Sequence, residues 1–157
     1  LPQKKKQKEI MKKILTPLLL AGTLFCAAPV MAAEYISVDV DNANVRKTPS
    51  LNAPVVMELF RGYPLRVLKT EGDWYNVVDF EGDKGWIFKK ITNSRQTVIV
   101  NAKNALNMRS EPSTKSKIIA SVERGVVLEM LEKKGSWTKV RHSGGTVGWI
   151  YSSLLWP

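Results

Sequence analysis

The chain has 157 residues, with 24 Lys and Arg against 14 Asp and Glu for a formal charge of +10, and it holds one cysteine and one histidine. A lone cysteine excludes an internal disulfide framework, and one Cys with one His excludes a zinc site of three nitrogen or sulfur ligands. The length allows one domain or two small ones.

The first predicted element is a leader. Met11-Lys12-Lys13 runs into an apolar stretch from Ile14 to Ala28 and then into Val30-Met31-Ala32-Ala33. A basic start, a short apolar run and a small-residue site together predict a secretory signal peptide beginning at Met11 and cleaved near Ala32, with residues 1–10 as upstream sequence. A membrane anchor fits less well, because the stretch falls short of the ~20 apolar residues of a spanning helix and carries Pro17 and Pro29. Phe25, where a small residue is wanted, argues against acylation of Cys26. Residues 1–32 contain Cys26, six Lys and one Glu, so the expected mature chain has no cysteine and no transmembrane anchor. It keeps 18 basic and 13 acidic residues, net +5. Half of the charge thus belongs to the leader, and a nucleic-acid partner is not expected.

Past the leader the chain repeats itself at an offset of 63 residues without a gap. Asn44-Val45-Arg46 aligns with Asn107-Met108-Arg109, Pro49-Ser50 with Pro112-Ser113, and Arg61-Gly62 with Arg124-Gly125. Leu65 and Leu68 meet Leu128 and Leu131, Gly72-x-Trp74 meets Gly135-x-Trp137, Val77 meets Val140, and Gly85-Trp86-Ile87 meets Gly148-Trp149-Ile150. Each repeat reads as short strands punctuated by turns. In the second they are predicted at Thr97–Val100, Ala105–Met108, Ile118–Val122, Val126–Leu131, Trp137–Arg141 and Thr146–Ile150, with turns at Lys133–Ser136 and Ser143–Gly145. No sustained 3.6-residue apolar period follows residue 33, so the expectation is an all-β chain with repeats over 34–93 and 97–157.

The ordered motifs, Asn-Val-Arg-x-x-Pro-Ser through Gly-x-Trp-x-x-Val to Gly-Trp-Ile, resemble the bacterial SH3 (SH3b) family twice over, from about Glu34 to Leu154. The resemblance implies two tandem SH3-like small β-barrels that bind peptides or cell-wall components. Met108 replaces the motif Val, and Ala43 stands where the second repeat has Leu106.

The candidate ligand-binding residues are Trp74, Arg46 and Trp86 in the first repeat and Trp137, Arg109 and Trp149 in the second. Residues three apart on a strand point to opposite faces, so a buried Val77 or Val140 sends Trp74 or Trp137 to the outer side. There the ring either lines a groove for an extended ligand or packs under a loop. Trp86 and Trp149 adjoin isoleucines better suited to a core, after glycines that permit close backbone approach. Arg46 and Arg109 either grip a ligand carboxylate or tie down loop carbonyls. His142, at a Ser-Gly-Gly turn, is a poor site for a catalytic base, and Asp79, Glu81 and Asp83 read as a solvated hairpin tip. No catalytic residue, metal or cofactor is expected.

Charge separates the repeats: 34–93 carries eight basic and nine acidic residues, whereas 97–157 carries nine basic and four acidic. The second repeat is therefore the side that would attract an anionic partner. The expected function is an exported, periplasmic or secreted, non-enzymatic module for cell-wall peptide, peptidoglycan or an envelope protein. An accessory or inhibitory subunit of a separately encoded envelope enzyme is the alternative.

Overall fold

A computed structural model describes residues 33–157; the signal-peptide, cleavage and Cys26 readings of residues 1–32 lie outside the described residues. The described chain is all-β. Strands β1 (Tyr35–Val38), β2 (Ala43–Arg46), β3 (Val55–Leu59), β4 (Pro64–Glu71), β5 (Trp74–Val78), β6 (Lys84–Phe88) and β7 (Thr92–Asn93) form the first sheet. Strands β8 (Thr97–Val100), β9 (Leu106–Arg109), β10 (Ile118–Val122), β11 (Val127–Lys134), β12 (Trp137–Arg141), β13 (Val147–Tyr151) and β14 (Leu155–Trp156) form the second. The spatial orders, β3-β2-β6-β5-β4-β1-β7 and β10-β9-β13-β12-β11-β8-β14, are the same order advanced by seven strands. A single 3₁₀ turn precedes the last strand of each sheet. No helix among the described residues is long and apolar enough to cross a membrane.

Alternation sets the cores. Val45, Leu65, Val77 and Ile87 are fully buried in the first repeat, as are Met108, Leu128, Val140 and Ile150 at the same offsets in the second. Each long strand carries a bulge where the repeat places its second leucine, between Val67 and Lys69 in β4 and between Met130 and Glu132 in β11. An extra residue at a bulge shifts the side-chain alternation, and Leu68 and Leu131 accordingly stand exposed. Gly85 and Gly148 supply the predicted close approach. A methyl group on Gly148 would lie 2.6 Å from Met108 Cγ, 2.7 Å from Ile119 Cδ1 and 2.9 Å from the Arg109 carbonyl oxygen.

Strand β8 behaves differently. All four of its residues are buried. Val98 and Val100 enter the second core, but Ile99 belongs to the first, where Val127 and Trp156 also pack. Thr97 Oγ1 donates to the Gly62 carbonyl at 2.7 Å and lies 2.5 Å from Ser37 Oγ. Arg124 stands 5.0 Å over the Phe80 ring and 3.4 Å from Glu81. The repeats are therefore joined by a strand buried on both faces.

The Asp79 hairpin differs from its sequence reading. Glu81 and Asp83 are exposed, but Asp79 is buried. Its Oδ1 accepts the backbone N–H of Glu81 and of Asp83, both at 2.9 Å, and its Oδ2 lies 3.3 Å from the Tyr63 hydroxyl, which donates to it. Burial is repaid by these bonds, so the carboxylate staples the turn from inside. Burial, followed by the Asp79 charge, pushes the Tyr63 phenol far above its ordinary value of about 10. A folded-state value raised in this way supports the fold below that ordinary value and withdraws support as pH climbs above it. We expect the melting temperature to fall more steeply above about pH 10 in the wild type than in Tyr63→Phe. Equal alkaline slopes in thermal melts would refute this.

Candidate functional site

The ladder registers place all six candidate residues on the outer faces of the sheets. In the first repeat Arg46 pairs with Trp86, Trp86 with Asn76, and Asn76 with Lys69. In the second Arg109 pairs with Trp149, Trp149 with Lys139, and Lys139 with Glu132. Partners directly across a ladder share a face, and the neighbouring Val45, Val77, Met108 and Val140 occupy the opposite, core face. One step along, Trp74 pairs with Phe88 at 5.3 Å between ring centroids, and Trp137 with Tyr151 at 5.5 Å.

The members of this strip differ in what they can offer. Arg46 Nη1 donates to the Ala53 carbonyl at 2.7 Å, and Arg109 Nη1 to the Ser116 carbonyl at 2.8 Å. Both guanidinium groups thereby hold the Pro-containing loop that follows their strand, which accounts for their recurrence through the fold. Trp149 is 8% exposed, so its ring is packed away, whereas Trp86 is half-buried. A lysine ammonium lies 5.7 Å from the centre of each ring: Lys69 over Trp86 and Lys139 over Trp149. Those lysines are not equivalent by sequence. Lys69 comes from β4 and Lys139 from β12, so each repeat reaches the same cation–π arrangement from a different strand. Trp74, tilted at 56° to Phe88, and Trp137, edge-on to Tyr151, are half-buried.

In the second repeat a groove of about 410 Å³ brings Arg109, Trp137 and Tyr151 together with Lys103, Asn107 and Thr114. It combines aromatic surface with two cationic groups. At the 63-residue offset, Val40 replaces Lys103, Leu51 replaces Thr114 and Phe88 replaces Tyr151, so the first repeat lacks this polarity. Tyr151, 44% exposed, was legible in the sequence only as one more aromatic, and Lys103 only as one of several cations on the basic second repeat; the hydroxyl of the one and the charge of the other are absent at the offset positions Phe88 and Val40, so recurrence could not point to them. His142 sits at its hairpin tip, where Nδ1 accepts the Gly144 N–H at 3.1 Å.

The bacterial SH3 domain model matches residues 39–92 and again residues 102–157. The chain belongs to this family. Among curated proteins, these bacterial SH3 repeats are similar to the putative N-acetylmuramoyl-L-alanine amidase YrvJ of Bacillus subtilis (strain 168), 26% identical over 125 residues. That match takes in 73% of this chain and 24% of the relative, so the chain spans about a quarter of the relative's length. Solved structures with similarity include NlpC2 from Trichomonas vaginalis, at 20% identity and a TM-score of 0.34, covering 80% of this chain and 48% of that one. An NlpC/P60 family protein from Bacillus cereus ATCC 10987 has 17% identity and a TM-score of 0.37, covering 78% of this chain and 56% of that one.

Proposed function

We propose that the chain is an exported, non-enzymatic, tandem bacterial SH3 module that attaches to cell-wall peptide in the envelope. The carrying observation is the second-repeat groove, where Trp137 and Tyr151 offer aromatic surface beside Arg109 and Lys103. An extended peptide with anionic groups suits such a surface, because aromatic rings bind it along its length while cations fix its charged ends. The amidase named for the curated relative supports a cell-wall setting. The non-enzymatic reading is supported by His142, whose Nδ1 is occupied by its own turn.

Sedimentation with purified peptidoglycan tests the proposal. Tyr151→Ala and Trp137→Ala should each weaken binding by more than about 1 kcal/mol, while Trp74→Ala, in the less polar repeat, should weaken it less. Tyr151 is the cleaner probe, being exposed. If all three variants bind as the wild type does at unchanged melting temperature, the groove is not the site.

One observation favours an envelope protein as partner instead. The edge strands β3 and β10 expose apolar pairs at equivalent places, Val55-Val56 at 44% and 46%, and Ile118-Ile119 at 49% and 37%. Retention of a specific protein from envelope extract, lost in Val55→Lys and Ile118→Lys but kept in Tyr151→Ala, would establish this reading over the first.

A further inference from the structure

Away from the outer strips, a cleft of about 560 Å³ opens between the two repeats. The first repeat contributes Phe60 and Arg61, the connecting segment Arg95, and the second repeat Val126, Val127 and Arg141. We infer that this cleft is a second binding site, built by the pairing of the repeats, for a small ligand or chain end that carries a carboxylate next to an apolar side chain.

Three arginines converge on it from three separate parts of the chain. Two are already engaged. Arg141 pairs with Glu129 at 3.0 Å, and Arg61 lies 3.6 Å from both Asp39 and Asp41 while donating to the Asp39 carbonyl. Arg95 makes no ion pair among the described residues. Its guanidinium is the planar, always-charged fork that a carboxylate fills with two parallel bonds. The apolar half of the ligand would lie against Phe60, which is 49% exposed, and against the half-buried Val126 and Val127. The volume falls within the range of small-molecule sites, roughly 300–1,000 Å³. The floor is stiff, because Thr97 Oγ1 donates to the Gly62 carbonyl across the repeat boundary and β8 is anchored in both cores. A rigid floor spares the ligand the cost of ordering its site.

Arg95 also borders a smaller hollow of about 340 Å³ on Tyr35, Met130 and Pro157, so the experiment must locate the ligand as well as detect it. Amide NMR spectra of the protein are titrated with acetyl-alanyl-leucine as the free acid and, separately, as its C-terminal amide. The free acid should shift Gly62, Gly125 and Gly145, which line the cleft. The C-terminal amide should bind at least tenfold more weakly. Arg95→Gln should reduce binding of the acid to the level of that amide with no loss of the folded spectrum, since the Arg95 bond that anchors Ser37 uses its backbone carbonyl. Equal shifts from acid and amide, full binding by Arg95→Gln, or shifts confined to Tyr35, Val98 and Lys133 or to the outer aromatic strip would overturn the inference. Because Tyr151 and Trp137 line neither hollow, loss of wall binding in their variants leaves this result independent.

Discussion

Truncating Ile99 to alanine should destabilise the first repeat even though that residue sits on the first strand of the second. Ile99 is 1% exposed and packs within the first core beside Ile36, Leu65 and Val77. Removing its buried methyl groups loses transfer free energy and leaves a cavity, and for an isoleucine this costs about 2–5 kcal/mol. That is a large share of the roughly 5–15 kcal/mol by which native proteins are stable. The distinguishing readout is where the loss falls. Hydrogen exchange should accelerate in β4 and β5, more than 20 residues distant in sequence, and the melt should remain a single transition because Val98 and Val100 tie the same strand to the second core. If β4 and β5 keep their protection while only β8 through β14 open, the shared-strand account is wrong. The same reasoning predicts that the first repeat expressed alone, over residues 33–93, melts well below the pair, since it lacks Ile99, Val127 and Trp156.

The second large effect is expected at Gly148. A Cβ there would meet two side chains and one backbone oxygen at 2.9 Å or less, distances that ordinary packing does not allow. Overfilling a packed region costs about 1–3 kcal/mol, and the carbonyl among the contacts pushes Gly148→Ala toward the upper end, because a side chain can rotate away and a ladder carbonyl cannot. Urea melts should show the midpoint falling with little change in slope. Ile119→Val, which removes the Cδ1 atom at 2.7 Å, should recover part of the loss in the double variant. A neutral Gly148→Ala would mean that β13 and β9 stand farther apart than described.

Much of this fold was legible because the repeat at 63 residues carried its own check: a strand seen once as Gly-Trp-Ile is seen again with the same neighbours. The core valines followed from alternation alone. The role of β8 was written in the sequence too, in a way that reading it as an ordinary strand passed over. Thr97-Val98-Ile99-Val100 does not alternate between apolar and polar, and an unbroken β-branched run marks a strand covered on both faces. What covers the second face, the first repeat's core, is a matter of tertiary packing that no local pattern states. Asp79 was missed for a related reason. Three acidic residues in five positions read as solvent-facing, yet the first of them is the acceptor that the turn's own N–H groups require. At the outer strip, alternation gave the correct face for the four tryptophans. It could not tell Trp149, packed away, from Trp86, half-buried, because alternation gives a side chain's face and not what packs against it there.

The lysines over Trp86 and Trp149 bear on how such repeats can be recombined. Placing β11 in the position of β4 would bring Glu132 where Lys69 stands and leave the Trp86 ring facing Asn76, with no cation above it. Placing β12 alone in the position of β5 would bring Lys139 beside Lys69, two ammonium groups crowding one ring. Moving the β11–β12 hairpin whole keeps one lysine over one tryptophan. The transferable unit between these repeats is therefore the hairpin, and chimaeras cut between its two strands should be the ones that fail to reach either parent's stability.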